Sequence, residues 1–516
     1  MDVDVTKTPA VGGGSIGKRR ERGLGPGAWA EPSAVGGGSA RLLDRHWVGV
    51  GVMAAVAVGW YALYSYLRFR QGGYFGWDLG IFDQTVRADA HLHLPYVTSM
   101  QHNYTGDPGK LEWTDHFSPI LVVLAPLYWV SNSAYNLLFA QAVLFAAAAL
   151  PVFAFARRRL CGASGRPTAA YLVAAVYLLS WPLQSALAFD FHEVAFAPPL
   201  IALMVERADA RRWGQAAVAA GLLLLVKEDM GLVVAMMGVW LLIRGERRVG
   251  AWFTAAGLGA MALTIGLVIP LEGGSSMRNW EYGQLGPTPG KAALRLLEHP
   301  SLLVTELIDP HVKVTTALWL LLPVLFLCLR SWIVLLGVAL IVERYFGNNS
   351  FYWGQDYHYN AFLVAIIVLA AVDGASKFRW PLVRLGWAVA ALVVSVALLP
   401  RFPLVDVGSA SLWQASASVH AQEHLLGELP EGSDVLMPWP SDPYTGGHVN
   451  PINLHFTTVA PEWILTSDMS ADVAALDRTL PAGSTHARYV SYASYEGWTI
   501  GRRVTVTVVQ PSSAGA

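Results

Sequence analysis

GQAAVAAGLLLLVKEDMGLVVAMMGVWLLIR, residues 214–244, places Lys227-Glu228-Asp229 in the middle of an otherwise apolar run with arginines at either end. As one helix it would extend about 45 Å at ~1.5 Å per residue, well beyond a hydrocarbon core of about 30 Å. Read as a hairpin, it puts Arg211-Arg212 and Arg244 together on one side and Lys227-Glu228-Asp229 at the turn on the other. Each arm is then short, so the turn should lie below the membrane surface and line a cavity. Irregular backbone is tolerated at that depth only in such a place.

The same segregation runs outward along the chain. Arg157-Arg158-Arg159, Arg207, Arg211-Arg212, Arg247-Arg248, Arg330, Lys377 and Arg379 end one set of apolar runs. Asp78, Asp83, Asp115-His116, Asp190, His192-Glu193, Asp356 and His358 fall between the other ends. With 516 residues, 54% of them hydrophobic and only 14% charged, the chain reads as an α-helical polytopic membrane protein. A net charge of −1 gives no electrostatic signal for nucleic acid. Basic residues favour the cytoplasmic ends. The amino terminus is then inside, and roughly eleven spans follow: 47–67, 134–156, 168–188, 194–206, 214–227, 230–244, 250–271, 314–329, 332–346, 360–375 and 382–400. Residues 119–130 are too short to span and read as an interfacial or re-entrant helix. Arg68, Arg70 and Arg344 run against the charge rule, as snorkelling residues or anion ligands.

Three regions follow from this pattern. Residues 1–46 are Gly-rich, polar and expected to be disordered on the cytoplasmic side; the first span is expected to be a retained helix rather than a cleaved signal. Residues 47–402 form the membrane domain, with a large first outer loop over 68–133. In 403–516 the apolar runs shorten, polar turns appear and strand-like pieces such as 434–437, 457–459 and 504–509 follow a helix near 412–428. That tail is expected to be a small α/β domain on the extracytoplasmic side. Cys161 and Cys328 sit near the arginine-marked ends and offer neither a disulfide framework nor a metal site.

An ionisable residue inside or beside hydrocarbon is costly and marks function by default. If 78–88 is helical, Asp78 and Asp83 lie about 140° apart and cannot both face one atom. Asp78, just after the turn Tyr74-Phe75-Gly76-Trp77, is the better-placed general base, and Asp83 could cap or brace. Asp190 and Glu193 would share a helical face at i,i+3 with His192 between them, for acid/base work or as a helix cap. With Asp78, these oxygen and imidazole donors could also take a divalent cation, Mg²⁺ or Mn²⁺, though no spacing is diagnostic of one. Lys227 could hold a phosphate oxygen as a point charge; it could equally neutralise itself against Glu228 and Asp229. The run Asn348 to Asn360, with Tyr357 and His358, suits sugar stacking or an aromatic interface belt.

The chain resembles the prokaryotic membrane proteins called domain of unknown function 2079. The resemblance is carried by Asp78-Leu79-Gly80-Ile81-Phe82-Asp83-Gln84, Asp115-His116-Phe117-Ser118-Pro119, Phe191-His192-Glu193, Lys227-Glu228-Asp229-Met230-Gly231 and His358-Tyr359. That family is similar to the GT-C superfamily of glycosyltransferases, which implies a multi-pass enzyme of the plasma membrane using a polyprenyl-phosphate sugar. The resemblance puts the catalytic base in the first outer loop, at Asp78, and makes 119–130 a juxtamembrane helix. Asp83, Asp190 and Glu193 are the other catalytic candidates. Asp115, His116, His192, Lys227, Glu228, Asp229, Arg344, Tyr357 and His358 are expected to bind substrate, with Lys227 beside Arg278 or Arg344 at the departing phosphate. The acceptor would be an envelope glycan, a lipid or a protein. A transporter or lipid-handling protein that binds an ion or headgroup with the same charges is the alternative.

Overall fold

A computed structural model of the chain describes residues 45–504 except 105, 162–165, 278 and 482–486. The expectations for residues 1–44, Arg278 and the strand beyond 504 therefore lie outside the described residues, and residues 45 and 46 belong to the first helix. Among the described residues, six helices are long and apolar enough to cross a membrane: Arg45–Arg70, Tyr135–Cys161, Thr168–Leu187, Arg247–Leu271, His358–Ser376 and Pro381–Arg401. The pair Leu302–Ile308 and His311–Val324, bent by 69°, would add a seventh. Proline at the first turns of the helices starting at Trp181, Ala197 and Pro381 sets their entry, where a missing N–H costs nothing.

Every expected span carries a helix, but five are short. Ala197–Asp209, Trp213–Leu223, Met230–Ile243, His311–Leu321 and Leu335–Phe346 have 11–14 residues each, covering only about 16–21 Å at 1.5 Å per residue. The expected span 314–329 is interrupted, because Leu325 and Phe326 both take positive φ (54° and 60°) and turn the chain. Helices Pro289–Glu298 and Leu302–Ile308, which the apolar pattern did not mark, precede it.

The 214–244 hairpin is real but splayed. Helix Trp213–Leu223 packs against Ala197–Asp209, while Met230–Ile243 packs against Arg247–Leu263. Glycine permits the second contact: a Cβ on Gly231 would lie 2.6 Å from the Gly257 carbonyl oxygen, and one on Gly250 2.8 Å from that of Gly238. Between the arms, residues 224–229 leave the helical path. There the Ile120 N–H of the short 119–128 segment donates to the Leu225 carbonyl at 3.1 Å, so two irregular stretches satisfy each other.

At the arginine-rich end, three acids that the charge pattern had hidden hold the basic clusters. Arg158 reaches Glu206 (2.7 Å) and Asp209 (3.0 Å), Arg159 pairs with Asp373, and Arg244 reaches Asp209 at 3.1 Å. Four helix ends are thereby tied into one network.

At the Asp78 end, a short antiparallel ribbon pairs β1 (Tyr96–Val97) with β2 (Lys110–Leu111). The tail builds a five-stranded sheet from β3 (Asp434–Met437), β4 (Asn450–Asn453), β5 (Trp463–Thr466), β6 (Tyr489–Tyr495) and β7 (Trp498–Arg503). Its order is β4-β3-β5-β7-β6, with β4-β3-β5 parallel and the β7 pairings antiparallel. Helices Ala417–Gly427 and Met469–Thr479 flank it. The described residues from Arg45 onward cluster as one compact unit, and the sheet is seated directly on the first loop. The Tyr444 hydroxyl donates to the Phe69 carbonyl (2.9 Å), Thr98 Oγ1 donates to the Pro451 carbonyl (2.8 Å), and His102 bridges to Thr457.

Gly76 sits at the closest point of that seat. Its φ of +90° suits glycine, and an added Cβ would fall 2.6 Å from Pro440 Cα and 2.8 Å from the Trp439 carbonyl oxygen. Gly432 has a similar φ (+76°) but open space around it. An alanine at either position should cost about 1–2 kcal/mol from left-handed strain. Gly76→Ala is therefore expected to lower the thermal midpoint in detergent further than Gly432→Ala; equal shifts would show that the tail does not bear on this turn.

Candidate functional site

Helix Trp77–Ala90 begins without a capping residue of its own, and its exposed N–H groups are met from elsewhere in the chain. Asp190 accepts from the backbone N–H of Gly76 (2.9 Å), Asp78 (3.0 Å) and Leu79 (3.2 Å). A buried carboxylate at a helix amino terminus is favoured by those donors and by the helix dipole. Burial and the neighbouring Asp78 nevertheless push Asp190 up to about 7, against the pull of the Gly76 and Leu79 donors. Asp190 thus positions the turn that presents Asp78, with both its oxygens engaged. Asp83 braces the same helix from within, paired to Arg87 at 2.7 Å and accepting from the Tyr128 hydroxyl at 2.7 Å. That bond ties the helix to the short 119–128 segment.

Asp190 and Glu193 do not share a helical face. Asp190 and Phe191 are non-helical and His192 is extended (φ −137°, ψ 147°), so the helical turn starts only at Glu193. The extended link sends Asp190 toward residues 76–79 and Glu193 the other way. From this a line of charges follows. Asp78 Oδ2 lies 3.1 Å from His192 Nε2, His192 Nδ1 lies 3.0 Å from Glu193 Oε2, and Glu193 Oε1 lies 3.1 Å from Lys227 Nζ. Glu193 is fully buried, so its oxygens join two cations and cannot reach a substrate. Burial alone would lower His192, but the charges of Asp78 and Glu193 hold it up at about 9, as an imidazolium at neutral pH. Of the four catalytic candidates, Asp78 alone keeps an oxygen, Oδ1, outside any described hydrogen bond or ion pair, and its side chain is 24% exposed.

Lys227 faces a cavity of about 390 Å³, which His116, Glu228, Asp229, Arg344 and His358 also line. His116 Nδ1 lies 2.8 Å from Glu228 Oε1, and the Phe117 N–H donates to Glu228 Oε2 at 3.3 Å. These contacts fasten the end of the first loop to the 224–229 turn. Burial and Lys227 pull His116 down, yet Glu228 and Asp115 outweigh them and raise it to about 9. Arg344 is buried; its Nε donates to the Leu340 carbonyl and its Nη1 to that of Tyr359, while Nη2 has no hydrogen-bond partner among the described residues. An unpaired guanidinium nitrogen at a cavity wall is a waiting donor. His358 connects the two halves of the site: it lines the cavity and stacks on His192 with ring centroids 3.5 Å apart.

Asp78 does not line the cavity; it is reached through His192 and His358. Asp115 stands at the rim, its carbonyl accepting from Asn279 at 3.0 Å. Tyr357 packs on Phe189 and Phe351 instead of lining the cavity. Tyr352 and Tyr359 of the 348–360 run also line it, as do Glu343 and Tyr282, which the sequence reading did not pick out. Glu343, an acid inside an apolar helix beside Arg344, carried the signal that should have flagged it. Helix Arg247–Leu271 supplies an apolar wall through Met261, Ile265 and Ile269, loosened by a π turn over Thr264–Val268. Among the described residues, no three His, Cys, Asp or Glu side chains converge on a point that could hold a metal ion. Of the donors suggested for Mg²⁺ or Mn²⁺, Asp190 is engaged by backbone N–H groups, Glu193 by Lys227 and His192, and His192 by Asp78 and Glu193.

Removing one partner of a buried ion pair typically costs about 3–5 kcal/mol. Lys227→Met should accordingly lower unfolding stability in detergent by about that much, and adding Glu193→Gln should recover most of the loss; additive losses would dissolve the pair. Because His116 and His192 are both raised, their contribution is complete below about 6.5 and fades as pH rises through about 9. The thermal midpoint should fall across that window, and the double variant His116→Gln/His192→Gln should flatten the fall.

The family described as predicted membrane protein (DUF2079) matches residues 73–437. No curated protein matches. Among solved structures, the chain is similar to ArnT from Cupriavidus metallidurans in the apo state, with TM-score 0.52 and 13% identity. It is similar also to ArnT bound to undecaprenyl phosphate, with TM-score 0.51 and 12% identity. Each match covers 89% of this chain and 98% of the other. At such identity the likeness establishes the GT-C fold alone.

Proposed function

Given that the chain belongs to the DUF2079 family of membrane proteins, we propose that it is an inverting glycosyltransferase of GT-C type. Its donor would be a sugar carried on a polyprenyl phosphate, and its reaction would take place at the outer face of the cytoplasmic membrane, with the carboxyl-terminal tail on that side. The observation that carries this reading is the line Asp78–His192–Glu193–Lys227. It joins a carboxylate with a free oxygen to a cavity that presents Lys227 and the unpartnered Arg344 Nη2. Paired cations beside an apolar wall suit a phosphate on a lipid tail. The ArnT structure bound to undecaprenyl phosphate supports the choice, as a neighbour in fold.

In this reading the phosphate sits against Lys227 and Arg344, and the prenyl chain lies along Met261, Ile265 and Ile269. The sugar extends past His358 toward Asp78, whose Oδ1 takes the proton from the acceptor hydroxyl. That oxygen attacks the anomeric carbon, and the C–O bond to the phosphate breaks on the opposite side. Lys227 and Arg344 stabilise the negative charge that gathers on the leaving phosphate, which is where fixed cations act most strongly. His192, held as a cation, keeps the Asp78 carboxylate oriented; Glu193 and Asp190 position and do not react.

General-base action contributes about 10²–10⁴-fold. Asp78→Asn is expected to lose turnover on that scale while remaining folded, and the deletion strain should accumulate polyprenyl-linked sugar and lack one envelope glycan component. Wild-type transfer by purified Asp78→Asn protein would remove the base assignment.

A further inference from the structure

A second concavity, of about 200 Å³, lies in the tail. Its walls come from the carboxyl ends of all three parallel strands: Met437, Pro438 and Trp439 after β3, Asn453 and His455 after β4, and Leu465 on β5. Asp472 of helix Met469–Thr479 closes it. The chain runs from β3 to β4 on one side, then crosses to β5 on the other. In open sheets with parallel strands, the crevice outside the strand ends at such a reversal is where ligands bind.

The lining is specific in character. Asn453 is buried; its Oδ1 accepts from the His455 N–H at 2.8 Å, and among the described residues nothing accepts from its Nδ2. Asp472 accepts from the Thr466 hydroxyl through Oδ2 only. An amide donor and a carboxylate oxygen beside an aromatic face make a set that hydroxyl groups on a flat apolar ring can satisfy. The aromatic face continues outward. Trp439 lies 5.5 Å from His455, 5.4 Å from Phe75 and 5.8 Å from Trp77, and Trp77 stacks on Phe456 at 5.1 Å. Phe75 and Phe456 remain 47% and 40% exposed, although such surface would normally be covered. Trp77 is the residue before Asp78, and Gly76 locks this turn against Trp439 and Pro440.

We propose that this crevice is a saccharide-binding subsite, with Trp439 as the stacking face and Asn453 and Asp472 as hydroxyl partners. Its volume takes one sugar ring, and the aromatic row leads from that ring to Asp78. Resting on the transferase reading, the saccharide is a unit of the acceptor, which makes the acceptor a glycan rather than a bare lipid or protein. The donor phosphate stays in the Lys227 cavity, so the two substrates approach Asp78 from different elements.

The test is saturation-transfer NMR with the full-length protein in nanodiscs and a panel of soluble methyl glycosides of hexopyranoses and pentofuranoses. At least one glycoside should receive saturation at its ring protons. Trp439→Ala should weaken that signal at least tenfold, Trp439→Phe should keep it, and Asn453→Ala should reduce it in protein with an unchanged circular dichroism spectrum. Silence from the whole panel, or a signal indifferent to both Trp439→Ala and Asn453→Ala, overturns the subsite. A Trp439-dependent signal in protein that transfers no sugar from a polyprenyl-phosphate donor would uphold the subsite and overturn the transferase reading instead.

Discussion

A carboxylate with no exposure to solvent, Glu193, stands between Lys227 and His192, and the functional end of the molecule is organised around it. Desolvating an isolated carboxylate is prohibitive, so its position is stable only while both cations are present. Those cations come from separate parts of the chain, one at the break in the 214–244 hairpin and one in the extended link after Leu187. His192 passes the constraint to Asp78, and Asp78 stands on a helix whose amino end is held by Asp190 of that same link. Three segments far apart in sequence are thereby fixed by one buried charge and its neighbours. None of them could shift alone without stranding a charge.

Short helices are the structural counterpart of this arrangement. A helix of 11–14 residues ends partway through an apolar layer, and its last carbonyls and the following turn need partners there. The Ile120–Leu225 bond, the His116–Glu228 pair and the Phe117–Glu228 bond supply them for the 224–229 turn. The two arms of the hairpin diverge onto different neighbours, and residues 227–229 of the irregular turn between them supply part of the cavity's charged lining.

The sequence made the membrane class, the helical segments and the charged end legible, because the cost of charge in hydrocarbon leaves a strong one-dimensional signal. Lys227-Glu228-Asp229 stood out for that reason, and so did Asp78 behind its aromatic turn. What failed was local geometry. The i,i+3 reading of Asp190 and Glu193 assumed a helix, yet His192 is extended, and the two acids serve different partners. Glu343 was passed over beside Arg344, although the same desolvation argument applies to both. Glu206, Asp209 and Asp373 were invisible among the arginines because only tertiary packing pairs them. The break at Leu325-Phe326 falls two residues after Pro323, a breaker that the apolar run of 314–329 concealed.

The seat of the tail adds a constraint that no single segment reveals. Gly80 faces Asp442 so closely that an added Cβ would lie 2.6 Å from its Cβ, and Asp442 is buried beside Ser99. Burial, with Asp83 and Asp190 nearby, pushes its pKa up against the pull of Ser99. Three carboxyl groups, Asp83, Asp190 and Asp442, thus surround the helix that begins at Trp77, and each meets it differently: through Arg87, through backbone N–H groups, or by close packing on Gly80. That helix is held from the membrane side by Tyr128 and from the tail side by residues 439–442. The orientation of Asp78 is consequently set by both halves of the chain, so the tail belongs to the reactive end of the protein rather than being an appendage to it.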